Sequence, residues 1–173
     1  MIKTAAAVLA LMLMGLAAPA HASDISCAWT SLPAGVRANF ERLARSPRPE
    51  SALDLIDDPA RVDAIKACKF TTVNGPRYVM AMGGLLNQRL AEVLFQGRFT
   101  PEQLNAAWRR VDPALVSAAV TTRAKGFDQA AGTASIEALA RQLNVPASDA
   151  RGRALVLVYA NGRITRAYGE AGF

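Results

Sequence analysis

The strongest constraint on the fold is a pair of residues that occurs three times, a helix-capping residue followed directly by proline. The three pairs are Asp58-Pro59, Thr100-Pro101 and Asp112-Pro113. Asp and Thr side chains accept hydrogen bonds from the first turn of a helix, and proline fits the first helical position because its missing N–H would be unpaired there. Gln103 completes the pattern of a capping box with Thr100. These signals divide the chain into short helices and predict a mainly helical fold.

The longest helix is predicted over residues 77–96, where apolar side chains recur at helical spacing. The stripe consists of Val79, Met82, Leu86, Leu90 and Val93. Gly83-Gly84 lies in the middle of this helix, although glycine lowers helix propensity. Because glycine has no side chain, the pair predicts that another backbone approaches closely there. We expect this helix to form the centre of the core.

The C-terminal segment changes from a helical to a strand-like pattern. Residues 154–159 are apolar and rich in β-branched side chains, and Asn161-Gly162 is a favoured two-residue hairpin turn. The pattern predicts a β-hairpin at 153–168, with Arg153 opposite Glu170. The fold prediction is therefore a single-domain bundle of five to seven helices with a C-terminal hairpin. The alternative is an α+β fold with a small antiparallel sheet, in which Phe70–Val73 adds a third strand.

Residues 136–169, a predicted helix followed by Leu155–Arg163 and closing at Gly169, resemble the final hairpin of thioredoxin-like proteins. The sequence lacks the Cys-x-x-Cys motif of that family and a proline just before the strand. The resemblance therefore implies a local shape and no activity.

Residues 1–22 have the organisation of a cleavable signal peptide. Lys3 provides a positive start, an uncharged apolar run follows, and Ala20-His21-Ala22 supplies small residues at the cleavage site. We therefore expect residues 23–173 to be the mature domain, which is periplasmic or secreted and not stably inserted in a membrane. Cys27 and Cys68, the two cysteines of the chain, are then expected to form a disulfide.

Several kinds of chemistry are excluded by composition. The single histidine, His21, is lost with the leader, which removes histidine-based catalysis and the commonest metal ligand. The sequence has no phosphate-binding loop and no dinucleotide fingerprint, so we predict no cofactor and no metal site. Glu92 is the weak candidate for a catalytic residue, as the acid of a carboxylate-dependent hydrolase of cell-wall glycan. Its neighbours Arg89 and Gln96 suggest instead a solvated helix edge, and the balance favours a protein that is not an enzyme.

Positive charge indicates a binding function. Without the leader the chain has nineteen basic residues, sixteen of them arginines, against fourteen acidic residues. Arginine binds carboxylates and phosphates through paired hydrogen bonds. The predicted binding residues are those on or beside the hairpin: Arg151, Arg153, Arg163, Arg166, Tyr159 and Tyr168.

The leading hypothesis is an exported, non-enzymatic binding protein, such as an inhibitor, immunity-type or accessory protein. Its partner would be an anionic envelope component or another protein, and no motif for nucleic acid is present. The alternatives are the glycan hydrolase and an envelope chaperone. The sequence does not specify the partner or the oligomeric state.

Overall fold

The computed structural model describes residues 24–57, 59–68, 75–125 and 129–171, and this part of the chain is mainly α-helical. The helices are α1 (Ser26–Ser31), α2 (Ala34–Ala44), α3 (Ala60–Ala67), α4 (Gly75–Leu94), α5 (Pro101–Arg109), α6 (Pro113–Lys125), α7 (Gln129–Gln142) and α8 (Ala150–Glu170), with a 3₁₀ helix at Pro49–Asp57 between α2 and α3. Within these ranges, no helix is both long enough and apolar enough to cross a membrane. The predicted signal peptide and the candidate strand Phe70–Val73 lie outside the described residues.

Helix α4 is the central element, as the apolar stripe predicted. Along residues 78–90 it packs with α1, α2 and α3 in one apolar cluster, to which it contributes Met82, Leu85 and Leu86. Its last turn contributes Ala91 to a second cluster, formed with α5, α6, α7 and α8. Val79 departs from the prediction, since it lies at the edge of the stripe and is 44% exposed.

The predicted C-terminal β-hairpin is wrong, and residues 150–170 form one long helix, α8. No strand occurs anywhere among the described residues, which also removes the α+β alternative there and the resemblance to a thioredoxin-like hairpin. The expected cross-strand pair of Arg153 and Glu170 is therefore absent as well. Arg153 contacts Glu137 on α7, and Glu170 pairs with Arg166 one turn away on α8.

Two signals explain why this segment is helical. The Asp149 side chain caps α8 by accepting a hydrogen bond from the Gly152 backbone N–H at 2.8 Å. The buried apolar positions of the segment are Val156, Tyr159, Ala160 and Ile164, which recur at intervals of three and four residues. A six-residue apolar run such as 154–159 is compatible with either period, so it does not decide between a strand and a helix.

Glycines allow α4 and α8 to pack backbone against backbone. A Cβ at Gly162 would lie 2.7 Å from the Gln88 backbone nitrogen and 2.8 Å from the Gly84 oxygen. A Cβ at Gly84 would meet the backbone of Arg166 in the same way. The close approach predicted from Gly83-Gly84 is therefore confirmed at Gly84, and Gly162 serves this contact and not a hairpin turn.

Two of the three predicted cap-and-proline helix starts are confirmed, at α5 and α6. The third is shifted, because α3 begins at Ala60 after Pro59, and the predicted cap Asp58 lies outside the described residues. The capping box of α5 is present, with the Thr100 N–H donating to Gln103 Oε1 at 2.8 Å. Asp112 caps α6 through the Ala114 N–H. Helix α7 begins at Gln129, and Ser135 lies buried inside it.

Cys27 and Cys68 lie at disulfide distance, with their Cα atoms 5.6 Å apart. The pair links α1 to the residue that ends α3, across 41 positions of sequence. The predicted pairing of these two cysteines is therefore confirmed.

Candidate functional site

Because residues 150–170 are helical, the four arginines expected together on a hairpin lie in four different environments. Arg151 is exposed in the first turn of α8. Arg153 donates a hydrogen bond to Glu137. This bond lowers the pKa of the Glu137 carboxyl and raises the pKa of Arg153. The pKa of the Asp149 carboxyl lies below its usual value, mainly because the carboxyl accepts the hydrogen bond from the Gly152 N–H. The positive charge of Arg151 lowers this pKa further.

Arg166 is the centre of an internal hydrogen-bond network and is only 11% exposed. Its Nε donates to Glu170 Oε1 at 2.8 Å, and its terminal nitrogens contact Gln88 Oε1, the Ser26 hydroxyl and the Asp24 carboxylate. Glu170 also accepts the Ile25 backbone N–H at 2.8 Å. Arg166 therefore ties the chain before α1 to α4 and α8, and its charge is already matched by two carboxylates.

Arg163, like Arg166, is largely withdrawn from solvent, but it has no carboxylate partner among the described residues. Its terminal NH1 donates to Asn105 Oδ1 on α5 at 2.8 Å, and its guanidinium carbon lies 5.6 Å from the centre of the Trp108 ring. Burial lowers the pKa of Arg163, while Glu92 and Glu170 oppose this shift through longer-range attraction. Among the described residues, no carboxylate forms an ion pair with it.

The two candidate tyrosines are not free stacking surfaces. Tyr159 is fully buried, and its hydroxyl donates to the same Asn105 oxygen at 3.3 Å. Burial raises the pKa of Tyr159 to about 12. Tyr168 is covered by Arg77, whose guanidinium carbon lies 3.9 Å from the ring centre. Tyr159 is thus part of the wall behind Arg163, which we call the Arg163 socket: Arg163, Asn105, Trp108 and Tyr159.

Comparisons with protein-family models, with curated proteins and with solved structures give no match to this chain. Within the described residues, no group of three or more His, Cys, Asp or Glu side chains could hold a metal ion.

Glu92 is buried, contrary to the solvated helix edge that the sequence suggested. It is 5% exposed, and its two oxygens accept hydrogen bonds of 2.8 Å from Gln88 Nε2 and Arg89 NH1. Glu92 lines a cleft of about 140 Å³ between α1, α2, α4 and the start of α5. The other lining residues are Trp29, Phe40, Glu41, Arg89, Val93, Gln96 and Pro101.

Sequence analysis did not identify the partners of these side chains. Asn105 is one polar residue on an amphipathic helix, and nothing local distinguishes it from a surface position. Its role depends on α5 meeting α8, a contact between residues 58 positions apart. The same holds for Asp24 and Arg166, which are 142 positions apart.

Proposed function

We propose that this protein is an exported, non-enzymatic binding protein that recognises an anionic group on its partner, and that Arg163 receives this group. The observation that carries the proposal is the absence of an ion-pair partner for Arg163 among the described residues. A guanidinium has five N–H donors, and among the described residues those of Arg163 meet the Asn105 oxygen and the Tyr159 hydroxyl but no carboxylate. Withdrawing an unpaired charge from water costs free energy that a bound anion would recover.

Chemical features of the socket favour a carboxylate or a phosphate as the bound group. Guanidinium groups donate paired, nearly parallel hydrogen bonds to both anions. The Trp108 ring lies beside the guanidinium and the Asn105 amide fixes one of its nitrogens, so the remaining donors are held in a preferred direction. A pre-oriented donor group loses little conformational entropy on binding. The partner would be an acidic protein surface or a phosphate-bearing envelope polymer.

Tryptophan fluorescence tests this proposal, because the chain has only two tryptophans, Trp29 and Trp108. In a Trp29→Phe variant, Trp108 is the single reporter. Titration with inorganic phosphate and with acetate, at constant ionic strength, should change Trp108 emission saturably. Arg163→Gln should abolish the change, while Arg151→Gln, which alters an exposed arginine of the same helix, should retain it. A response that survives Arg163→Gln, or no saturable response, would contradict the proposal.

Export is supported by the leader-like pattern of residues 1–22 and by the cysteine pair, since disulfides persist in oxidising compartments. The mass of the protein recovered from the periplasm should correspond to a chain that begins at Ser23 and lacks two cysteine hydrogens. Recovery of a full-length, reduced chain from the cytoplasm would contradict export.

A carboxylate-dependent glycan hydrolase is the second candidate, and one observation favours it: Glu41 and Glu92 line the same cleft. The hydrogen bonds that both oxygens of Glu92 accept favour a fixed structural carboxylate over a proton donor. Release of soluble fragments from purified peptidoglycan, lost in Glu92→Gln, would support the hydrolase. The absence of release would eliminate it.

A further inference from the structure

The cleft beside Glu92 has a composition suited to a different kind of ligand from that of the Arg163 socket. Trp29 and Phe40 pack edge to face, with ring centres 5.1 Å apart, and Pro101 and Val93 add further apolar surface. Glu92 is the polar group at its buried side. Small-molecule sites typically combine such apolar walls with a few fixed polar groups.

The charges that surround this cleft are already paired within the protein. Glu92 pairs with Arg89 at 2.8 Å, and Glu41 pairs with Arg45 at 3.3 Å. Arg45 also donates to Gln96 Oε1 at 2.9 Å. A charged ligand would have to displace one of these pairs, whereas an uncharged polar ligand can add hydrogen bonds to them.

The cleft offers both donors and acceptors of hydrogen bonds. Carboxylate oxygens of Glu41 and Glu92 each have two lone pairs, and the Gln96 amide both donates and accepts. Arg89 lines the cleft and donates through one terminal nitrogen to Glu92, and the other N–H groups at the end of its guanidinium are further donors. Hydroxyl groups, which donate and accept, match this mixture better than a purely donating or a purely accepting ligand.

We propose that this cleft binds one ring of an uncharged saccharide, with the apolar C–H surface of the ring toward Trp29 and its hydroxyls toward Glu92, Arg89 and Gln96. The volume of about 140 Å³ is suited to a single sugar ring and not to an oligosaccharide. This site is independent of anion binding at Arg163 and requires no turnover. With one small ring buried, we expect a dissociation constant on the order of 1 mM.

The second tryptophan provides the test. In a Trp108→Phe variant, Trp29 is the single reporter, and titration with glucose and with N-acetylglucosamine should change its emission saturably. Glu92→Gln should weaken binding at least about tenfold, equivalent to a loss of about 1.4 kcal/mol. Gln96→Leu, which alters an exposed residue and avoids the buried network, should also weaken it. Glu50→Gln, an exposed acidic residue outside the cleft, is the matched control and should leave the affinity unchanged.

Three results would overturn the inference: no saturable response to either sugar, a response unaffected by both Glu92→Gln and Gln96→Leu, or a response to guanidinium or an alkylammonium ion without one to the sugars. The last would identify a cation site. Arg163→Gln should leave sugar binding intact, so failure of the saccharide site and failure of the anion socket are distinguishable.

Discussion

At the scale of single residues, the buried polar side chains between α1, α4 and α8 determine how the N-terminal part of the described chain is held. Arg166 donates hydrogen bonds to four side chains that would otherwise bond to water: Asp24, Ser26, Gln88 and Glu170. Removing one partner from such a network leaves the others buried and unpaired, which costs more than the net value of any single contact.

Replacing Arg166 with methionine should therefore lower the free energy of unfolding by about 3 kcal/mol. Gln88 Oε1 would lose the Arg166 donor while staying inside the protein, and Glu170 would keep the Ile25 N–H but lose its ion-pair partner. Urea unfolding followed by circular dichroism measures the change. The matched control is Arg42→Met, which removes an exposed arginine bonded to Asn39 and should change stability by less than about 0.5 kcal/mol. Equal effects of the two substitutions would contradict this role of Arg166.

Asp24 makes part of this stability dependent on pH. Burial acts to raise the pKa of Asp24, but hydrogen bonds from Ser26 and the charge of Arg166 outweigh it, and the pKa lies below its usual value of 3.8. A carboxyl whose pKa is lowered by folding stabilises the protein above its unfolded pKa, and this contribution is lost as the pH falls through the folded pKa.

We therefore expect Asp24→Asn to be less stable than the wild type at pH 7, with a difference that decreases below about pH 4. Urea midpoints at pH 7 and pH 3 measure it. In an Arg166→Met background the same substitution should have a smaller effect. A difference that stays constant with pH would show that the charge of Asp24 is not involved.

At the scale of elements, the pairing of α4 with α8 shows what could be predicted from the sequence and what could not. Caps at Thr100 and Asp112, and the close approach at Gly84, were predictable because each depends on local chemistry. The segment 153–168 was mispredicted as a hairpin because Asn161-Gly162 favours a tight turn locally. Here the glycine is required by the backbone of α4, which lies far away in sequence.

The contact between α4 and α8 should therefore be sensitive to added volume. Gly162→Ala would place a Cβ 2.7 Å from the Gln88 backbone nitrogen, so the helices must separate, at a cost of about 2 kcal/mol. Gly35→Ala, on α2 with no atom within 4 Å of the new Cβ, should be neutral or slightly stabilising. Thermal unfolding of both variants tests the prediction, and a stable Gly162→Ala protein would contradict the helical packing.

The same misprediction affected the candidate site. A hairpin would present Arg151, Arg153, Arg163 and Arg166 together, whereas helix α8 distributes their side chains around its axis. Which arginine lacks a carboxylate partner depends on Glu137 and Asp24, which lie 16 and 142 positions from Arg153 and Arg166 and leave no signal in the local sequence. The Arg166–Glu170 pair is local, but it forms only because the segment is a helix.

At the scale of the whole molecule, the Cys27–Cys68 pair connects the N-terminal helix to α3. A cross-link over 41 positions should stabilise the fold by about 4 kcal/mol by restricting the unfolded chain. The Cys27→Ser, Cys68→Ser double variant should unfold at a correspondingly lower urea concentration. Wild-type protein reduced with dithiothreitol should match the variant, and an unchanged midpoint in both would show that the cross-link is absent or energetically silent.

The most direct test of the central claim is an NMR titration that observes the arginine Nε–Hε signals as phosphate is added at constant ionic strength. An unpaired Arg163 that receives the anion predicts a saturable shift of the Arg163 signal, while that of Arg166, already bonded to carboxylates, stays in place. If Arg163 is unmoved, or if all arginine signals drift together without saturation, the socket does not bind anions and the proposed function is wrong.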